Sequence, residues 1–211
     1  MSTTFHLVRH GLKERRIGDV SLTSEGVLQA EATALHFSRA AFPVTKILTS
    51  PLRRARETAS MIARHTRSHI TEDPRLRERA NWGDCPDQSF EQFIAMWDRC
   101  TSDPDYIPPV GDSAKQAGER LASLLTELAN EEPGKSRNSN MIVVTHGGLI
   151  TDFLVQTFTE RELNVWHSDF ITMQNQLIPE CSITTLIHDQ GNYTIKAFAS
   201  TKHLDSNDVK E

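Results

Sequence analysis

Two short apolar runs in this 211-residue chain each end in a histidine followed by glycine. One is Leu7-Val8-Arg9-His10-Gly11 near the start, the other Val144-Thr145-His146-Gly147-Gly148 far downstream. A short apolar run that breaks at glycine and gives way to helical spacing reads as a buried strand feeding a helix. Open α/β sheets bind their ligands beyond the carboxyl ends of such strands. The polar residues at these two breaks are therefore the first place to look for chemistry. Arg9 stands directly beside His10, and an arginine fork next to an imidazole suits an anionic, phosphorylated ligand.

The intervening sequence continues the alternation. Residues 5–8 read as a strand, and Val27, Ala30, Ala34 and Phe37 then recur at three- and four-residue steps, with Thr23 or Ser24 as the cap. Residues 46–49 read as a second strand. Ser50-Pro51 follows as a cap with proline at the first helical position, and Leu52, Ala55, Ala59 and Ile62 form a buried stripe. Periodicity weakens over residues 73–110, where loops surround a short helix at 90–97. Helical spacing returns over 113–129, a polar loop spans 131–140, and 141–145 is a continuous apolar strand leading into a helix at 148–158. Residues 182–188 and 193–198 alternate as a hairpin about Gly191-Asn192. The tail from Asp205 is polar and expected to fray.

This order predicts a single α/β domain over residues 1–211, three layers deep (α/β/α). It has a mostly parallel sheet with helices on both faces, and residues 73–110 form an insertion over the C-terminal edge of the sheet at the pocket mouth. Three strand ends, Arg9-His10-Gly11, Ser50-Pro51 leading to Arg53 and Arg54, and His146-Gly147-Gly148, are expected to converge on one site.

Formal net charge is -5, which argues against nucleic acid or an anionic membrane as partner, so a basic pocket would be local. No apolar segment is long enough to span a bilayer. Three scattered cysteines, Cys85, Cys100 and Cys181, form no CxxC pair and fit reduced thiols in a cytoplasmic protein. The N-terminal residues lack the basic-then-apolar pattern of a signal peptide.

Phosphoryl transfer depends on positioning and on neutralising charge. Arg9 and Arg54 offer bidentate donors, and His146 offers further hydrogen bonds when protonated. His10 can attack phosphorus through a neutral ring nitrogen if an acceptor, such as the backbone carbonyl near Gly11, fixes the tautomer. A leaving alkoxide needs a proton, for which Glu78 and Asp112 are the candidates. Each feature has a plainer reading: Arg53, Arg54 and Arg56 suit a solvated helix face, and Glu78 lies in the charged run Leu76-Arg77-Glu78-Arg79. Trp82, Phe90, Phe93 and Trp97 are read as lid packing in preference to partners for a ring-bearing leaving group.

Taken in order, LVRHG, SLTSEGVLQA, TSPLRRARETA, LRER-ANWGD, GDS and VVTHGG resemble the histidine phosphatase superfamily, in its phosphoglycerate mutase-like branch, across nearly the whole chain. The resemblance implies that His10 is the nucleophile that becomes phosphohistidine, that Arg9 and Arg54 (rather than Arg53) bind phosphate, that His146 is the second pocket histidine, and that Glu78 donates the proton. It implies no metal and no organic cofactor. Where the family often reads RHG-Glu-Thr-x-x-Asn, this chain has Leu12, Lys13 and Arg16, and Gly111-Asp112-Ser113 replaces the common GES. Arg16, in the position of a phosphate-contacting Asn, and Gly147 complete the expected phosphate set.

The function expected is hydrolysis of a small-molecule phosphomonoester through a phosphohistidine, with inorganic phosphate as product. The alternatives are a mutase of the phosphoglycerate type, and a phosphate-binding regulatory protein without turnover. A homodimer is compatible with the sequence.

Overall fold

The computed structural model describes residues 2–131 and 139–205. Most of the polar loop expected at 131–140, and of the tail expected from Asp205, lies outside the described residues. The strands are β1 (Ser2–Arg9), β2 (Lys46–Thr49), β3 (Ile70–Glu72), β4 (Ser139–Thr145), β5 (Ile183–Asp189) and β6 (Asn192–Ser200). They form one sheet in the order β3-β2-β4-β1-β5-β6. β3, β2, β4 and β1 run parallel, while β5 and β6 continue the sheet antiparallel. Register pairs Phe5 with Met141 and Arg9 with Thr145, so β1 and β4 end side by side.

The layers follow from the two-residue period of the strands. Phe5 and Leu7 of β1 and Met141 and Val143 of β4 face one way. They pack on α4 (Ala114–Asn130) and α5 (Gly147–Thr157) through Leu121, Leu124, Leu125 and Phe153. Val8, Ile142 and Val144 face the other way, onto Ala34 and Phe37 of α1 (Ser24–Ser38) and Ala55, Ala59 and Ile62 of α2 (Arg53–Thr66). The central strands are apolar on both faces because both faces are covered.

Several local expectations need correction. Thr23 does cap α1, accepting from Gly26 N, but Val27 lies outside the buried face. Gly26 turns inward instead, because the loop after β1 crosses there backbone to backbone. A Cβ on Gly26 would lie 2.1 Å from Leu12 O, and one on Gly11 would lie 2.5 Å from Gly26 O. Side chains at these two positions would force the strand end away from α1. α2 starts two residues later than Ser50-Pro51 implies; its N-cap is Leu52, which has no capping side chain. β3 is a three-residue edge strand, too short to read from alternation. Within 73–110 lie a 3-10 turn (Pro74–Leu76) and α3 (Phe90–Ser102), longer than expected and closed at its start by a capping box between Ser89 and Gln92. The unassigned stretch before β5 folds into α6 (Glu160–Leu163), α7 (Phe170–Met173) and a further 3-10 turn (Gln174–Gln176). Both segments sit at the carboxyl end of the parallel strands. No described helix is long and apolar enough to cross a membrane.

His6, on β1, stacks on Phe42 at 4.9 Å between ring centroids and meets Phe37 edge-on at 5.6 Å. Burial pulls its pKa down to about 4. The unfolded chain binds a proton near 6.5 and the folded chain does not, so stability present above pH 6.5 is lost as pH falls toward 4. We expect the stability difference between pH 7.5 and 4.5, from urea midpoints, to shrink by roughly 2–3 kcal/mol in His6→Phe. An unchanged difference would show that His6 does not drive the acid limb.

Candidate active site

The ends of β1, β2 and β4 meet in a cavity of about 270 Å³, lined at its inner end by Arg9, His10, Lys13, Arg54, Glu78, Gly147 and Gly148. His10 follows β1 and is 4% exposed. Its backbone N–H donates to Thr145 O at 3.0 Å, tying it to β4. Its Nδ1 lies 2.7 Å from Gly11 O. A carbonyl only accepts, so Nδ1 carries the proton and Nε2 carries the lone pair. Arg54 Nε donates to that Nε2 at 3.1 Å. Burial, then the charges of Arg54 and Arg9, hold the His10 pKa well below its ordinary value, against the opposing bond to Gly11 O. The result is a neutral imidazole whose ring is fixed at both nitrogens.

Arg54 enters from the first turn of α2, almost fully buried, and its guanidinium also donates to Asn81 Oδ1 at 3.2 Å. Arg9 reaches the same space from β1. Its terminal nitrogens are held by Ile178 O and by Glu180 Oε1, the latter at 2.6 Å. Its Nε is buried with no protein acceptor among the described residues. Gly147 lies against this side chain: a Cβ there would meet Arg9 Cδ at 3.4 Å.

His146 immediately precedes α5, its ring centroid 5.1 Å from that of His10. Its Nε2 is hydrogen-bonded to Ser50 Oγ at 2.7 Å. Its Nδ1 has no partner among the described residues. Complete burial first, then Arg54, His10 and Arg9, hold its pKa well below the ordinary value, so the ring is neutral.

Glu78 approaches from the loop between the first 3-10 turn and α3. Its Oε2 accepts from Gly148 N at 3.1 Å and its Oε1 from Arg79 N at the same distance. Gly148 has no room for a side chain, since a Cβ would lie 2.6 Å from the Trp97 ring and 2.8 Å from Glu78 Oε1. Next to Glu78, Arg79 is buried and pairs with Asp152 of α5 at 2.7 Å, both side chains 1% exposed. Arg79 also donates to Thr101 Oγ1 at 2.6 Å and stacks over Trp97.

Thus His10, Arg9, Arg54, Glu78 and Gly147 line one cavity, with His146 beside His10. Two expected residues lie elsewhere. Arg16 is exposed and pairs with Glu14, outside the lining; the loop after Gly11 turns its side chain to solvent, and Lys13 faces the cavity instead. Asp112 pairs with Arg120 at 2.9 Å, also outside the lining. Ser50 belongs to one of the converging strand ends, but its bond to His146, and Asn81 and Glu180 as partners of the arginines, have no counterpart in the sequence expectations. Asn81 sits in the same short stretch as Glu78, which is a usable sequence cue, whereas nothing local marks Glu180. Trp82, Phe90, Phe93, Ile94 and Trp97 form the outer wall.

A model described as the histidine phosphatase superfamily (branch 1) matches residues 5–201. The chain is 28% identical over 206 residues to a probable phosphoglycerate mutase of Serratia proteamaculans, covering 90% of this chain and 93% of that one. It is 31% identical over 164 residues to a metal-independent phosphoserine phosphatase of Arabidopsis thaliana, covering 70% and 66% respectively. Among solved structures, a mycobacterial glucosyl-3-phosphoglycerate phosphatase superposes with a TM-score of 0.72 at 23% identity, over 95% of this chain and 100% of that one.

Proposed function

The chain belongs to the histidine phosphatase superfamily, branch 1, and on that footing we propose that it hydrolyses a small phosphomonoester through a phosphohistidine on His10. One observation carries this reading: Nδ1 of His10 is committed to Gly11 O, which leaves Nε2 as a neutral lone pair at the inner end of an arginine-lined cavity. In the first step Nε2 attacks phosphorus, the P–Nε2 bond forms, and the bond to the ester oxygen breaks. Protonated Glu78 gives its proton to the leaving alkoxide. Water then attacks the phosphohistidine and Glu78 takes its proton. The P–Nε2 bond breaks, orthophosphate departs, and His10 returns to its neutral form. Arg54, Arg9 through its free Nε, Lys13 and the Gly147 turn neutralise or contact the transferring group. His146 presents Nδ1–H while Nε2 stays with Ser50, and a bound dianion favours its protonation.

The mutase alternative has a relative's name in its favour. A mutase must hold a second phosphate while its substrate reorients. Trp82, Phe90, Phe93 and Ile94 also line the cavity, and its described lining holds no cation besides Arg9, Lys13 and Arg54. Hydrolysis therefore fits the pocket better. The test offers 3-phosphoglycerate with and without a bisphosphorylated primer, beside a chromogenic monoester. We expect phosphate release from the chromogenic ester, at a rate above that of any primer-dependent isomerisation. Isomerisation faster than phosphate release reverses the assignment.

A further inference from the structure

Four large apolar residues of α3 face the cavity rather than the core. Phe90, Phe93, Ile94 and Trp97 follow the i, i+3, i+4, i+7 pattern of one helix face, and all four line the cavity, while Cys100 is the helix's fully buried side chain. Phe90 is 50% exposed and Ile94 39%, so this face is not satisfied by packing. Trp82 extends it from the preceding loop, edge-on to Phe90 at 5.1 Å. Trp97 is fixed: Arg79 covers its ring and its indole N–H donates to Asn175 Oδ1 at 3.2 Å.

The charges are distributed the other way. Arg9, Arg54 and Lys13 all belong to the inner end; burial, then Arg54 and Arg9, depress the Lys13 pKa, as expected for three cations gathered where a phosphoryl group sits. Beyond these cations, His10 and Glu78, the polar lining is Asn81, Thr151, Gln174 and Asn175, all neutral. A substrate with a carboxylate or second phosphate beyond its ester oxygen would leave that charge against aromatic rings and amides, without a counter-ion. A flat apolar group there would instead bury surface against Phe90, Phe93 and Trp82.

Resting on the phosphatase reading, we propose that the substrates are monoesters of alcohols carrying an aromatic or similarly flat apolar ring, without a second anionic group. The ring occupies the space between α3 and Trp82 while the phosphoryl group meets His10.

The test separates this from the hydrolysis it rests on. 2-Phenylethyl phosphate and ethyl phosphate have similar primary alkoxide leaving groups, so a difference between them reports the ring. We expect kcat/KM for the phenylethyl ester to be about tenfold or more above that for the ethyl ester, and also above that for 3-phosphoglycerate. The non-hydrolysable 2-phenylethylphosphonate should bind more tightly than ethylphosphonate by a similar factor, a measurement independent of turnover. In a Phe90→Ala, Phe93→Ala double variant both ratios should fall to about twofold or less. Equal handling of the two esters with equal phosphonate binding overturns the ring preference while leaving the phosphatase intact. A preference for 3-phosphoglycerate, or ratios unchanged in the double variant, overturns it equally. Ring-selective phosphonate binding without release of phosphate from any ester upholds the ring site and overturns the hydrolytic reading.

Discussion

Replacing His10 by alanine should lower phosphate release by roughly 10⁴-fold or more under the proposed mechanism, in which loss of the covalent nucleophile leaves only the catalysis of the surrounding binding groups. The placement of the ring fits the proposed attack on phosphorus. Its Nδ1 is held by Gly11 O, its backbone by Thr145 O, and Gly11 N by Thr58 Oγ1 at 3.1 Å. Burial and two arginines keep it uncharged. The wild-type protein quenched in alkali after mixing with a labelled monoester should carry label, because phosphohistidine survives base, and that label should vanish from His10→Ala. Replacing His146, which does not bond to phosphorus in this scheme, should cost less, about 10²- to 10³-fold. Equal losses in the two variants, with label retained on His10→Ala, would transfer the nucleophile's role to His146.

The second large effect is on stability. Asp152→Ala should cost about 3–5 kcal/mol, because it strands the Arg79 guanidinium in a site where both partners are 1% exposed. Within the pair, burial pushes the Asp152 carboxyl upward against the pull of Arg79, so desolvation offsets much of what the ion pair returns. Its value lies in geometry. Arg79 follows Glu78 directly, and Asp152 sits one turn along α5 from Gly148, whose N–H Glu78 accepts. The pair therefore holds the acid-bearing loop onto the start of α5. Urea unfolding measures the stability term. Removing both charges together, as in Arg79→Met with Asp152→Leu, should recover a large part of the loss. A single variant as stable as wild type would show that water or another acceptor already compensates the arginine.

How far the site could be read in advance depends on how local each feature is. Arg9, His10, His146 and Arg54 stand at or just after strand ends, and strand ends are marked locally by an apolar run and a glycine or proline. Arg79 shows the opposite case. In Leu76-Arg77-Glu78-Arg79 it looks like one more charge of a solvated run, yet it is among the largest fully buried side chains. Its partner lies 73 residues away, and no pattern within the run distinguishes it from Arg77. Glu180 on Arg9 and Ser50 on His146 are hidden for the same reason. Arg16 fails differently: its place in the motif points to phosphate, but the turn after Gly11 sends it to solvent and brings Lys13 inward.

The sequence by itself determined the layered α/β architecture, because the two-residue period of strands and the 3.6-residue period of helices are written in consecutive residues. It also determined which ends carry cations and imidazoles. Only the tertiary structure decided the partner of His146, the burial of His10 and His146 that lowers their pKa values, the burial of Arg79, and the facing of the α3 aromatic stripe toward the cavity instead of the core. Those depend on desolvation and on partners brought together by register across the sheet, and neither quantity exists until the layers have closed.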